Sequence, residues 1–159
     1  MRRSTEVIAG LVVAVVLQTV IGKISPSLLL AFNPFSWAVL YFGLTRQEIF
    51  GAVMGTACGL LQDSLSLGVF GVSGLTKTLL GFVTGYVSRK INVLSPGRTF
   101  VFVLVMAAAE LALWKFLVLF LFGEKWSAGG GLVFLQPLSA AVVVTGLFRF
   151  KRKSGAEIR

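Results

Sequence analysis

Residues 99–122 read TFVFVLVMAAAELALWKFLVLFLF. This is an unbroken run of Val, Leu, Ala and Phe with no glycine or proline, and only Glu110 and Lys115 are charged. A hydrocarbon core of ~30 Å needs ~20 mostly apolar residues in helical form, and this run meets that length. Residues 5–24 form a second block of the same kind. Working outward, further apolar blocks cover 27–44, 48–62, 74–89 and 132–148. With 56% hydrophobic residues and a mean hydropathy of +0.90, six such helices would occupy most of the 159 residues. The expectation is therefore a single all-α integral membrane domain of six transmembrane helices, with short loops and no soluble catalytic domain.

Two blocks carry interruptions. Asn33 and Pro34 lie inside the second, and a proline there removes a backbone bond and kinks or breaks the helix. The third block ends near Asp63 or runs on to about residue 67.

The charges orient the chain. Arg2, Arg3, Arg46, Arg89, Lys90, Arg98, Arg149, Lys151, Arg152, Lys153 and Arg159 fall on one set of alternate connections and tails. Only Lys23 and Lys125 fall on the other, while Lys77 and Lys115 lie within blocks. This asymmetry predicts that both termini are cytoplasmic. It also accounts for most of the formal net charge of +9 without a nucleic-acid partner. The basic stretch 149–153 is placed to touch anionic lipid heads. The start MRRS followed by an apolar run has the outline of a secretory signal. The absence of a small-x-small cleavage site near Gly22, and the ordinary turn Lys23-Ile24-Ser25-Pro26, favour a retained first helix.

The residue inventory excludes much chemistry. There is no histidine, one aspartate (Asp63) and one cysteine (Cys58). A Ser-His-Asp site, a histidine zinc site, an aspartyl dyad and a multi-aspartate metal site all lack their parts. Cys58, between glycines in an apolar block, reads as a small packed side chain. No enzyme, cofactor or metal is expected.

Within GAVMGTACG, Gly51, Gly55 and Gly59 recur at four-residue spacing, and Gly81 and Gly85 repeat that interval in the next block. Small residues at this spacing let helix backbones approach closely where lipid removes the hydrophobic driving force. Two readings are open: packing within the bundle, or docking of a separate membrane protein. Gly10 and Ala14 repeat the interval in the first block. Between the third and fourth blocks, Gly68, Gly71 and Gly74 with interleaved apolar residues suggest an irregular outer segment. Asp63 at the end of one block and Lys77 at the start of the next are placed for an ion pair. Such a pair would either pin the hairpin or floor a polar site for a ligand or partner helix. Glu110, deep in its run, is expected to face the bundle interior or a partner, whereas Lys115 can snorkel to the interface. Trp37, Tyr41, Tyr86 and Trp126 are read as interfacial anchors, and Gly129 to Gly131 as an outer hinge.

The chain resembles the bacterial rod-shape-determining MreD family. The resemblance spans the whole length but rests on residues 51–90: Gly51, Gly55 and Gly59, then Leu-Leu-Gln-Asp63, then Leu67-Gly68 and Gly71, then Gly81 and Gly85 before Arg89-Lys90. Pro26 before the second block also fits, although Ser25-Pro26-Ser27 stands where the family more often has a polar cluster such as Arg-Pro-Asp. The resemblance implies a non-enzymatic component of the cell-elongation, peptidoglycan-synthesising machinery in the bacterial inner membrane. Its partners would be MreC, RodA and the partner transpeptidase of RodA, with MreB filaments nearby. Partner docking would use the glycine faces, with Asp63 and Glu110 as polar contacts. The family's membrane fold is similar to the substrate-binding subunits of energy-coupling-factor transporters. That supplies an alternative: a vitamin-binding transporter subunit, for which Gln62, Asp63, Ser64, Ser66, Lys125 and Trp126 are the few outer polar candidates.

Overall fold

A computed structural model describes residues 2–25, 27–65, 71–91, 95–123 and 131–153 of the chain. Among these residues the regular structure is entirely helical. The elements are α1 (Arg2–Ile24), α2 (Leu28–Ala31), α3 (Pro34–Thr45), α4 (Glu48–Leu65), α5 (Val72–Lys90), α6 (Pro96–Phe122), a 3-10 turn (Gly131–Leu135) and α7 (Gln136–Lys153). Expectations resting on Pro26, Ser66, Leu67, Gly68, Lys125, Trp126, Gly129 and Gly130 lie outside the described residues.

Among the described residues, three helical stretches are long and apolar enough to cross a membrane: Val7–Ile24, Pro96–Leu121 and Val133–Phe150. The second apolar block, by contrast, is divided into α2 and α3. Pro34 opens α3 and has no N–H to offer the preceding turn. Asn33 is extended and caps α3, accepting from the Ser36 N–H at 3.3 Å. The extended Phe32 and Asn33 carry the Ala31 carbonyl out of helical register. The Ser139 hydroxyl of α7 donates to it at 2.6 Å, a side chain replacing a lost backbone partner. The last block is likewise composite, with Pro137 following a 3-10 turn at the start of α7.

α3 is the hub. Its Phe35, Ser36, Val39 and Leu40 are fully enclosed, and α1, α4, α5, α6 and α7 all pack against it. Phe42 on α3 fills the space beside Gly10, where an added Cβ would meet its ring at 2.7 Å. Gly10 thus seats α1 on the hub, and Ala14 is buried in the same core. Trp37 and Tyr41 pack against this core as well, Trp37 edge-on to Phe32 at 6.2 Å. Both are half-buried there. Tyr86 is exposed, stacked on Phe82, with the Lys90 ammonium 4.8 Å above its ring.

The outside of the bundle is apolar along most of its length. Val12, Val16 and Val20 of α1, Ile49 and Val53 of α4, Leu75, Leu79 and Phe82 of α5, and Val101, Val105 and Phe120 of α6 are exposed. Asp63, Ser36, Ser73, Thr76, Lys77, Thr84 and Glu110 are buried. This inverts the arrangement expected in water and suits a hydrocarbon solvent.

Candidate functional site in the bundle interior

Three side chains from three helices meet where hydrocarbon would surround the bundle. Lys77 lies in the second turn of α5, Glu110 midway along α6 and Ser36 in the first turn of α3. At ~1.5 Å per residue, Lys77 lies roughly 20 Å from the basic end of α5 and Glu110 roughly 20 Å from the start of α6. The two groups therefore reach the same height. Lys77 is 2% exposed and Glu110 4%. The Lys77 ammonium forms an ion pair with Glu110 Oε1 and donates to Ser36 Oγ at 2.6 Å. The Ser36 hydroxyl in turn donates to Glu110 Oε1 at 2.7 Å. The second carboxylate oxygen, Oε2, is buried without a hydrogen-bond partner among the described residues.

This corrects the expected Asp63–Lys77 pair. Asp63, in the last turn of α4, accepts from the N–H of Gly71 at 2.8 Å and of Gly74 at 3.2 Å. The first N–H groups of a helix have no partner inside it and carry the positive end of its dipole. Asp63 therefore caps α5 from a neighbouring helix. Gly71, at φ +97°, adopts the left-handed turn that starts α5, a conformation only glycine takes without strain. Lys77 is one and a half turns further on and faces α3 and α6.

Replacing Asp63 by alanine is expected to cost about 1–2 kcal/mol, the usual range for a lost cap. Asp63→Asn, which keeps an acceptor oxygen, should cost less than half as much. Unfolding titrations of both variants in mixed micelles check the order.

The glycines are spent between α4 and α5. A Cβ at Gly51 would strike the Gly81 carbonyl, at Gly55 the Lys77 carbonyl, and at Gly59 the Ser73 carbonyl. A Cβ at Gly81 would strike the Gly51 carbonyl, and one at Gly85 would come within 2.6 Å of the Glu48 Cα. The pairing runs antiparallel, backbone against backbone, over the whole overlap. These faces meet each other within the bundle, which is the first of the two readings the spacing left open. Arg89 and Glu48 close the far end of the same pair at 2.9 Å. Lys115 sits 4.4 Å over the Phe134 ring.

Chemically, the cluster holds helices together. Ser36 and Lys77 are close enough for a nucleophile and its base, but the hydrogen bonds run the wrong way. A base must take the serine proton, whereas Lys77 donates to Ser36 and the serine proton points to Glu110. Ser36 is also fully enclosed. Cys58 is a free thiol packed in the core. Among the described residues, no three His, Cys, Asp or Glu side chains gather to hold a metal ion. Ser36 escaped the sequence reading because an isolated serine in an apolar run carries no periodic signal; only the meeting of α3 with α5 and α6 gives it a role.

The chain matches no family model, no curated protein and no solved structure.

Proposed function

We propose that this chain is a non-enzymatic, multi-pass protein of the bacterial inner membrane that acts as a scaffold in cell elongation, as its resemblance to the MreD family implies. In this reading it crosses the membrane six times, with α2 and α3 sharing one crossing and the 3-10 turn and α7 another. Both termini are cytoplasmic. The observation that carries the reading is the state of the described residues within 51–90, the stretch that bears the resemblance. Gly51, Gly55, Gly59, Gly81 and Gly85 are engaged between α4 and α5, which are joined by the Asp63 cap and locked through Lys77 to α3 and α6.

α4 and α5 count as crossings although composition does not single them out. Their glycines and Asp63, Thr76, Lys77 and Thr84 face inward, while Ile49, Val53, Leu75, Leu79 and Phe82 face out. An average over all faces therefore understates how well they suit lipid. The partners in this reading are MreC, RodA and the transpeptidase that works with RodA. Since the glycine faces are occupied, these partners would dock on the apolar outer faces of the helices.

The alternative, a vitamin-binding transporter subunit, would need Asp63 free for a ligand, whereas Asp63 is engaged by two backbone amides. Affinity purification of the tagged chain from its native membrane, followed by mass spectrometry, separates the two. Recovery of MreC, RodA or the transpeptidase without a stoichiometric small molecule is the expected result. A bound vitamin with transporter ATPases would overturn the scaffold reading.

A further inference from the structure

We propose that α4 and α5 enter the bilayer only as a pair, each hiding the polar face that bars the other from crossing alone. The inference rests on the six-crossing reading above. Taken singly, both helices are poor candidates. α4 has length enough at 18 residues, but Glu48 stands at one end and Gln62 and Asp63 near the other. The apolar part, residues 49–61, is roughly 20 Å long at ~1.5 Å per residue, short of a ~30 Å core. Gly51, Gly55, Thr56 and Gly59 dilute even that part. α5, at 19 residues, carries Lys77 at depth along with Ser73, Thr76, Thr78 and Thr84. A lysine within the hydrocarbon region opposes insertion of the helix that carries it. Neither helix is among the stretches long and apolar enough to cross.

Paired, the two helices present a different surface. The glycines bring the backbones into contact from Gly51–Gly81 to Gly59–Ser73. At one end Arg89 donates to Glu48 Oε1 at 3.1 Å and forms an ion pair with that carboxylate. At the other, Asp63 caps α5 through Gly71 and Gly74. Between them the Thr56 and Thr78 hydroxyls lie 2.8 Å apart, so that one donates to the other while the other donates to its own helix carbonyl, that of Ala52 or Gly74. The pair thus carries an ion pair at one end, a helix cap at the other and a hydroxyl contact at its centre. The residues left outside include Ile49, Val53, Leu60, Leu75, Leu79 and Phe82. Lys77 alone among the pair's buried charges waits for a later segment, because its partner Glu110 lies in α6.

The test uses the full-length chain in cells, with Cys58→Ala and Ser64→Cys placing a single thiol near the outer end of α4. Ser64 is exposed. An impermeant maleimide, applied after the outer membrane is opened, reports whether that end has crossed, with labelling normalised to protein amount. The parent should label, and Gly55→Leu, which wedges the pair apart, should lower labelling about tenfold or more. Adding Lys77→Leu should restore it, because an α5 freed of its charge crosses alone and draws the end of α4 out with it. A bundle that merely packs badly within the bilayer would keep its labelling, so loss of signal reports insertion and not folding. A parent that does not label overturns the six-crossing reading itself. Equal labelling of parent and Gly55→Leu overturns the paired-entry inference and leaves the topology standing. A loss that Lys77→Leu does not restore also overturns it, since the barrier would then lie elsewhere.

Discussion

Lys77→Met is expected to destabilise the protein by about 3–5 kcal/mol, the cost of leaving a buried charge without its partner. The methionine fills nearly the space of the lysine stem, so the loss measures the stranded Glu110 carboxylate rather than a cavity. Glu110 would keep only the Ser36 hydroxyl as a donor among the groups now bonded to it. Its Oε2 already has no hydrogen-bond partner among the described residues. Glu110→Met alone should do similar harm by stranding Lys77. The double variant is the informative one. An ion pair taken out of water gains in attraction roughly what it loses in hydration, and apolar replacements of similar volume are often neutral or stabilising. Lys77→Met with Glu110→Met should therefore recover most of the stability lost by either change. Denaturant unfolding in mixed micelles, followed by helical circular dichroism, measures all three variants. Additive losses in the double variant would show that the two side chains do not act as one unit.

Gly55→Ala should be nearly as damaging, and Gly55→Leu worse. The new Cβ lands on the Lys77 carbonyl, and backbone cannot step aside as a flexible side chain does. α4 and α5 must move apart along their whole overlap, and Lys77 moves with α5 away from Ser36 and Glu110. The expected loss exceeds the ~1–3 kcal/mol usual for overpacking, because close packing and the ion pair are lost together. Gly146→Ala in α7 is the matched control. Nothing lies within 4 Å of that position, so alanine should leave stability unchanged or raise it by up to about 1 kcal/mol through helix propensity. The comparison also separates packing from docking. If Gly55 served only an outside partner, Gly55→Ala would leave the isolated protein as stable as before and lose only the partner.

Much of the helical order was open to sequence reasoning. Long runs free of proline and glycine, such as residues 99–122, can satisfy their backbone in an apolar setting only as helix. The break at Asn33-Pro34 is equally local: a residue without an N–H cannot continue the turn before it, and the asparagine ahead of it caps the new helix. The four-residue glycine spacing announced a close approach of helix backbones, but not to which neighbour. The ends of α4 and α5 were harder to place, since Asp63 and Gly71 set them through a contact across the turn.

The site itself was legible only as a set of conspicuous residues. Asp63, Lys77 and Glu110 stand out because charges are rare in apolar runs, and proximity along the chain favoured pairing the first two. In the folded bundle Lys77 turns instead to Glu110, thirty-three positions away, with Ser36 joining from forty-one positions in the other direction.

By itself, the sequence determined an all-helical chain with a lipid-suited exterior, a broken second segment and two glycine-lined helices. These features come from composition, period and the chemistry of single residues. Only the tertiary structure decided that the two glycine faces meet each other, that Asp63 caps α5, and that Lys77 is neutralised by Glu110. Those outcomes depend on the rotation and height of each helix against its neighbours, which are set by the packing of all the helices around α3 and by no single segment.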